Sequence, residues 1–424
     1  MMNATQLKHT AQVLADMLTF KQPADAVLSD YFRQHRKLGR QDRHEIAETA
    51  FAALRHYQKI AAVLRRPYAQ PEKAALAALV LGRGTNLSQL AHLVDEETVE
   101  FLSRLKARKT EWQSSLHTAA ELPEWLVERL QAHWTDEQVL SFGHSVMQPA
   151  PLDTRVNTLK GRRDKVLAEL QAELQAEFPH AAATPYAPHG IRFRDKPALN
   201  KHPLFLDGTL EVQDEGSQLL AQLVQAKRGE IVVDFCAGAG GKTLAVGAQM
   251  ANKGRIYAFD IAEKRLVNLK PRMTRAGLTN IHPEKIGSEH DPRVTRLAGK
   301  ADRVLVDAPC SGLGTLRRNP DLKYRQSPES IAQLVRQQRS ILQAASALVA
   351  PGGRLVYATC SVLPEENERQ IEEFLRGNPQ FSLLNAGEIL AAQKIPLDTG
   401  KYLQLDSAEH QTDGFFAAVL QRAD

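Results

Sequence analysis

Apolar residues recur at helical spacing through the first 145 residues of the chain. Leu7, Ala11 and Leu14 lie three or four positions apart, and a longer series of the same kind runs over residues 46–64. This spacing places apolar side chains on one stripe of a helix. The pattern therefore predicts a helical domain over residues 1–145.

The pattern changes after the Pro-rich stretch around residue 149. Residues 154–160 and 190–194 have the composition of short strands, and a helical stretch runs from about Asp164 to Phe178 between them. We therefore expect a small α+β module over residues 150–203. The module carries several basic residues.

From residue 204 to residue 424, short β-branched runs alternate with helical stretches. The runs cover residues 231–235, 255–259, 303–306 and 354–358, and residues 415–420 form a candidate last strand. Such alternation is typical of an α/β domain with a parallel sheet covered on both faces. Ligands of these folds bind outside the carboxyl ends of the strands.

A Gly-rich segment follows the first of these runs. It fails the P-loop pattern because Cys236 stands where the first Gly is needed, and it fails the dinucleotide fingerprint because Thr243 stands at the last Gly. What remains is a tight turn that lets the backbone approach a ligand, followed by Asp260 at the end of the next strand, where a carboxylate can bind a ribose diol. This combination suits a nucleoside cofactor such as S-adenosylmethionine, with a plain turn and a solvent-exposed Asp as the alternative. The candidate cofactor-binding residues are Cys236, Ala237, Gly238, Ala239, Gly240, Gly241, Lys242, Asp260 and Asp307.

Two cysteines follow two other strand runs. Cys310 comes three residues after Asp307, and Cys360 comes two residues after the run at 354–358. Because parallel strands open onto one edge of the sheet, both thiols and the carboxylate are expected to converge there, although a single Cys is often only a small buried apolar residue. The three cysteines of the chain have no paired spacing, so we expect neither a disulfide framework nor a metal site.

Composition limits the class of protein. The 424 residues are 43% hydrophobic and 24% charged, which excludes a disordered or collagen-like chain and allows two or three domains. We expect no membrane-spanning segment, no secretory signal and a cytoplasmic location. The net charge of +5 is a mild bias toward polyanions.

Four motifs together resemble the RNA 5-methylcytosine methyltransferases of the Nop/Sun superfamily. The resemblance is dense from 203 to 420, weaker from 122 to 202, and architectural before that, where the helical region resembles a NusB-like domain. It implies a Rossmann-like S-adenosylmethionine-dependent methyltransferase domain, preceded by the NusB-like domain and the RNA-binding module. The motifs are residues 236–243 (CAGAGGKT), 307–311 (DAPCS), 317–321 (RRNPD) and 357–367 (YATCSVLPEEN).

The resemblance also implies roles for site residues. Cys360 is the expected nucleophile toward carbon 6 of cytosine, and Cys310 the residue that assists removal of the carbon-5 proton. Asp307 is expected to bind the N3/N4 edge of the base, and Lys242 to help position it. The implied substrate is a cytidine of RNA, foremost small-subunit ribosomal RNA; transfer RNA, or a non-catalytic role in ribosome assembly, are the alternatives. We expect a monomer.

The chain departs from the superfamily pattern at two places. Ala239 replaces a usual Pro of the Gly-rich loop, and Gly287-Ser288-Glu289 replaces a usual Gly-Asp, so that Ser288, Glu289 or Asp291 is the candidate adenine contact.

A target base must leave its stack to reach such a cleft, so we expect basic residues along the RNA path. Singly, such residues are often only solvated charges. The candidates are Arg155, Lys160, Arg317 and Arg318.

Overall fold

The computed structural model describes residues 2–108, 111–173, 180–194 and 197–424. The chain divides into two compact units. One, the helical unit, contains residues 1–149 and 315–330, and the other, the α/β unit, contains residues 150–314 and 331–424. The second segment of the helical unit therefore comes from within the sequence of the α/β unit.

The helical unit is built around α1, α3 and α5, whose apolar stripes are buried against one another. Ile46 and Ala53 of α3 and Leu14 of α1 are fully buried, as the spacing predicts. The series over 46–64 is interrupted at His56, where one helix ends and the next begins. The helices are α1 Ala4–Met17, α2 Ala24–Gln34, α3 Arg40–Arg55, α4 Tyr57–Val63, α5 Pro71–Gly82, α6 Leu87–Leu90, α7 Glu96–Ala107, α8 Leu116–Ala120, α9 Glu124–Gln131 and α10 Asp136–Met147. The predicted helical N-terminal region is confirmed.

Residues 315–330 contribute to the interior of the helical unit. The ring of Tyr324 lies 4.9 Å from that of Phe20 and 4.8 Å from that of Tyr57, centroid to centroid. Lys323 is buried, and its Nζ donates to the carbonyl oxygen of Glu121 at 2.5 Å. Burial lowers the pKa of Lys323 to about 8, since the charged form loses its hydration.

The α/β unit begins with a small antiparallel sheet in the order β2-β3-β1-β4. Its strands are β1 Leu152–Val156, β2 Ala181–Ala183, β3 Gly190–Phe193 and β4 Leu210–Val212. Helix α11, Arg163–Glu173, contributes Val166 and Leu170 to a core shared with Ile191. Residues 174–178 of the predicted helix lie outside the described residues. The sheet extends past residue 203, where we expected the module to end, because β4 pairs with β1.

The large sheet has the strand order β10-β12-β9-β8-β5-β6-β7, with β11 paired to β12. Neighbours from β7 to β9 run parallel, and β12 is antiparallel to β9. The predicted Rossmann-like α/β fold is confirmed. The strands are β5 Ile231–Asp234, β6 Arg255–Asp260, β7 Ile281–Lys285, β8 Ala301–Asp307, β9 Val349–Thr359, β10 Phe381–Leu384, β11 Leu403–Leu405 and β12 Phe415–Arg422.

Both faces of this sheet are buried. Leu305 of β8 belongs to one hydrophobic core, and its neighbours Val304 and Val306 belong to the other, because successive side chains of a strand point to opposite faces. This explains the continuous apolar runs of the sequence. The remaining helices are α12 Pro203–Leu206, α13 Glu215–Val224, α14 Gly241–Gln249, α15 Glu263–Ala276, α16 Pro292–Thr295, α17 Leu322–Arg325, α18 Pro328–Ser346, α19 Glu368–Gly377 and α20 Ala386–Ala392. Within the described residues, no helix combines the length and apolarity needed to cross a membrane.

Candidate active site

A cavity of about 690 Å³ lies at the carboxyl ends of β5, β6, β8 and β9. Its wall contains every candidate cofactor-binding residue of the sequence, residues 236–242 together with Asp260 and Asp307, and both Cys310 and Cys360. The parallel topology thus brings together side chains that lie up to 124 positions apart along the printed sequence. The wall also contains residues that the sequence motifs did not indicate, among them Ser217, Asp234, Ile261, Arg265, Ile286, Gln337 and Ile341.

The Gly-rich loop connects β5 to α14. Gly240 adopts a φ of +83°, and a Cβ at this position would lie 2.2 Å from Cδ1 of Leu269. Only glycine combines this backbone conformation with the close packing. The first turn of α14, where backbone N–H groups lack helical partners, therefore starts in the cavity wall at Gly241.

The carboxylate of Asp260 holds the loop in place from the end of β6. Its Oδ2 accepts a hydrogen bond from the backbone N–H of Gly238 at 2.8 Å, and its Oδ1 accepts one from Ala262 at 2.7 Å. A carboxylate can accept about four hydrogen bonds, so capacity for a ligand hydroxyl remains. Asp260 is therefore suited both to shape the loop and to bind a diol.

Asp234, the last residue of β5, is a buried carboxylate in the cavity wall. Its Oδ2 accepts from the Thr243 hydroxyl at 2.6 Å, while Oδ1 has no hydrogen-bond partner among the described residues. Burial raises the pKa of Asp234 to about 7, and the negative charge of Asp307 acts in the same direction. A signal for this residue was present in the sequence, since it is the acidic residue inside the apolar run at 231–235.

Lys242 and Asp307 form an ion pair in the cavity. The Lys242 Nζ lies 2.6 Å from Oδ2 of Asp307, and the two side chains are 12% and 30% exposed. Burial by itself lowers the pKa of Lys242, but the charge and hydrogen bond of Asp307 outweigh it and leave that pKa raised. A negative charge on Cys360 contributes in the same direction.

The two cysteine sulfurs are in direct contact. Sγ of Cys310 lies 3.3 Å from Sγ of Cys360, and the backbone N–H of Cys360 donates to Sγ of Cys310 at 3.3 Å. The hydrogen bond with Cys360, then burial, then the charge of Cys360 raise the pKa of the Cys310 thiol well above its usual range. Burial likewise raises the pKa of Cys236. One sulfur of the pair can therefore carry a thiolate while the other holds the proton.

The segment after β7 contains the three candidates for the adenine contact. Ser288 and Glu289 lie in the cavity wall. The carboxylate of Asp291 instead accepts from the backbone N–H groups of Gly287 at 2.8 Å and Arg293 at 2.9 Å, where it caps α16. Its role in the structure is therefore to shape this turn.

The structure corrects one of the two expected RNA contacts in this part of the chain. Arg155 is buried, and its Nε donates to Oε1 of Gln213 at 2.7 Å; burial lowers the pKa of its guanidinium to about 10. The exposed Lys160 donates to the carbonyl oxygens of Asp207 and Arg275. Arg155 therefore does not face solvent as a phosphate contact must, whereas Lys160 is exposed, binds two backbone carbonyl oxygens of the α/β unit and stays a predicted RNA contact.

The remaining two candidates, Arg317 and Arg318, lie in the segment that belongs to the helical unit. Arg317 is 5% exposed, and its carbonyl oxygen accepts from Arg55 at 3.4 Å. Arg318 is half-buried. The expectation that Arg317 is a surface contact is not met, because the local sequence gives no sign that its segment folds into a helical interior.

Two family models match the chain. The model described as 16S rRNA methyltransferase RsmB/F matches residues 221–421, and the ferredoxin-like domain of RsmF/B-like methyltransferases matches residues 122–199. The first range contains most of the large sheet and the cavity. The second contains the first three strands of the small sheet.

Curated relatives and solved structures agree with these matches. A probable ribosomal RNA small subunit methyltransferase B of Synechocystis is 37% identical, covering 73% of this chain and 68% of that one, and the ribosomal RNA small subunit methyltransferase B of Klebsiella pneumoniae is 34% identical, covering 82% and 77%. The crystal structure of PH0851 has a TM-score of 0.79 at 25% identity and covers 100% of this chain and 99% of its own. NSun6 from Pyrococcus horikoshii, solved with SFG, has a TM-score of 0.62 at 22% identity and covers 71% and 98%, which shows the same fold. With relatives 34% and 37% identical that are matched over at least two thirds of their length, the chain belongs to the ribosomal RNA small subunit methyltransferase B family.

Proposed function

We propose that this chain transfers the methyl group of S-adenosylmethionine to carbon 5 of a cytidine in small-subunit ribosomal RNA, through a covalent bond between Cys360 and carbon 6 of the base. The observation that supports the proposal most is the pair of cysteine sulfurs 3.3 Å apart beside a cavity large enough for a nucleoside cofactor. Methyl transfer to an exocyclic amine needs no such pair.

The cofactor is assigned to the Gly-rich side of the cavity. The loop over 236–242 offers backbone N–H groups, and Asp260 accepts hydrogen bonds from a ribose diol. When bound, S-adenosylmethionine supplies an electrophilic methyl group. Among the described residues, the cavity wall has no cluster of Lys or Arg for a pyrophosphate, since Lys242 is paired with Asp307 and Arg265 is the other basic residue there.

The base enters on the side of Cys310 and Cys360. Carbon 5 of cytosine is a poor nucleophile, so the Cys360 thiolate first adds to carbon 6. N3 of the ring then takes up a proton from water, and the N3–H donates to the carboxylate of Asp307. The electron pair now available at carbon 5 forms a bond to the methyl carbon, while the sulfur of the donor leaves with its bonding pair. Covalent catalysis of this kind divides one difficult step into easier ones.

Cys310 removes the carbon-5 proton in the last step. While Cys360 is a thiolate, its hydrogen bond and its charge keep the proton on Cys310. Both influences disappear once the sulfur of Cys360 is bonded to carbon, so Cys310 releases its proton more readily and then accepts the one from carbon 5. The electron pair of that C–H bond restores the ring double bond, the carbon–sulfur bond breaks, and N3 loses its proton.

Adduct trapping tests the chemistry. Cys360→Ala should abolish methylation and leave S-adenosylmethionine affinity nearly unchanged. Cys310→Ala should accumulate a covalent RNA–protein complex that survives denaturing electrophoresis, and the Cys310→Ala/Cys360→Ala double variant should lack it. Normal turnover by Cys310→Ala, or methylation by Cys360→Ala, would contradict the assignment.

Bisulfite mapping of RNA from a deletion strain tests the substrate. Loss of one 5-methylcytidine from small-subunit ribosomal RNA, restored by the wild-type chain and not by Cys360→Ala, is the expected result. Loss from transfer RNA instead would refute the substrate and leave the chemistry intact.

A further inference from the structure

A buried carboxylate that takes no part in the proposed chemistry connects the two cysteine-bearing turns. Glu366 has no exposed surface and lies six residues after Cys360, before α19 begins. The two turns follow β8 and β9, which are neighbouring parallel strands. Glu366 therefore lies where it can contact both turns at once.

Both oxygens of Glu366 bind these turns. Oε1 accepts from the backbone N–H of Ser311 at 2.8 Å, and Oε2 accepts from the hydroxyls of Ser311, at 2.5 Å, and of Ser361. Ser311 directly follows Cys310, and Ser361 directly follows Cys360. The same carboxylate thus holds the residue after each reacting cysteine.

Gln338 of α18 adds a third connection. Its buried side-chain Nε2 donates to Oε1 of Glu366 at 2.9 Å and to the carbonyl oxygen of Pro309, the residue before Cys310, at 3.0 Å. The turn containing Cys310 is consequently held on both sides of the cysteine. The donors that the described residues offer to Glu366 are neutral, and together they satisfy buried oxygens that would otherwise be costly.

We propose that Glu366 is a positioning residue that sets the distance between Cys310 and Cys360 for the release of the methylated base. This inference rests on the proposed function, since it concerns how one cysteine serves the adduct formed by the other. A backbone bond from the N–H of Gly314 to the carbonyl oxygen of Cys360, at 2.9 Å, also joins the turns. Glu366 differs from that bond in acting on the residues adjacent to both sulfurs.

The proposal separates the two halves of the reaction. Addition of Cys360 to carbon 6 and methyl transfer need one sulfur in place, whereas removal of the carbon-5 proton needs Cys310 at a fixed distance from the base held by Cys360. Loss of the shared carboxylate should therefore slow release more than addition. A displacement of about 1 Å at a reacting group is enough to cost roughly 100-fold in rate.

Glu366→Gln with both cysteines intact is the test. The amide of Gln has the size of the carboxylate but offers one acceptor oxygen, whereas the donors around Glu366 bind two oxygens in the wild-type chain. We expect kcat to fall roughly 10- to 100-fold. The fraction of enzyme covalently bound to substrate RNA that contains ordinary cytidine should rise about tenfold over wild type at steady state. The S-adenosylmethionine dissociation constant should stay within about twofold, because Glu366 is outside the set of residues that line the cavity.

Matched variants keep the test decisive. Glu365→Gln, on the neighbouring carboxylate, should behave as wild type. Ser311→Ala and Ser361→Ala each remove one hydroxyl and should also accumulate the complex, with little further effect in the Glu366→Gln background because the groups act as one unit. These two variants carry the test if Glu366→Gln does not fold.

Two results would overturn the proposal. Wild-type turnover by Glu366→Gln would show that the backbone bonds suffice, and a parallel loss of covalent complex, cofactor binding and thermal stability would show that the residue serves only folding. Failure of the proposed function has a different signature, because Cys310→Ala would then form no covalent complex.

Discussion

The substitution Asp234→Asn measures how much free energy of unfolding the chain loses by keeping a charged carboxylate in the cavity wall. The folded chain raises the pKa of Asp234 to about 7 from an ordinary value of 3.8, mainly by burial, and one of its oxygens has no partner among the described residues. The charged form is therefore less stable in the folded chain than in the unfolded one. Asparagine keeps the shape and the acceptor for Thr243 but carries no charge.

The sign of the pH effect follows from proton binding. Between pH 3.8 and pH 7 the folded chain holds a proton on Asp234 that the unfolded chain has lost, so the free energy of unfolding falls as the pH rises through this window and is constant above it. With at most about 1.4 kcal/mol per pH unit for one proton, wild type should lose about 2 kcal/mol relative to Asp234→Asn between pH 5 and pH 7.

Urea unfolding of the intact chain at pH 5, 6 and 7 measures this difference. The transition of the α/β unit should be followed by labelling of thiols with dithiodipyridine, since a chain of two compact units need not unfold in a single step and all three cysteines lie in this unit. With an m-value of about 3 kcal/mol/M, the urea midpoint of Asp234→Asn minus that of wild type should increase by roughly 0.7 M from pH 5 to pH 7. Midpoints that differ by a constant amount at all three pH values would refute the reasoning.

Two further substitutions test charges in each unit. Lys242→Met removes the cation that pairs with Asp307 in the cavity, and we expect the single-turnover methylation rate to fall by roughly 100-fold at saturating cofactor; a rate within threefold of wild type would show that the pair is dispensable. Lys323→Met removes an ammonium group, and burial lowers the pKa of this group to about 8. Between pH 8 and pH 10.5 the unfolded wild-type chain therefore binds one proton more than the folded chain, so the free energy of unfolding of wild type rises with pH. In thermal unfolding, the free energy of unfolding of wild type relative to the Met variant should therefore increase by about 2 kcal/mol between pH 7.5 and pH 9.5. A difference between the two proteins that does not change with pH would contradict the buried charge.

The main elements were predictable because their signals are local. Alternation of apolar runs with helical stretches indicated the parallel sheet, and the failed nucleotide fingerprints left a Gly-rich turn that the structure places in the cavity wall. The helix break at His56 was not predicted, since one apolar series continues across it. Placement of Cys310 and Cys360 at one edge followed from topology alone, because parallel strands end on the same side.

The sequence by itself therefore determined the fold class and the candidate reacting groups, both of which depend on residue type and short-range order. Only the tertiary structure decided which charged side chains are available to bind a ligand and which are buried or bound to other parts of the chain. Arg155 is one basic residue among many in the sequence, yet packing buries it, and Glu366 is one acid in an acidic stretch, yet it binds both cysteine turns. Burial and hydrogen-bond partners are supplied by residues distant along the chain, and the energy of a charge depends on those surroundings far more than on its neighbours in sequence.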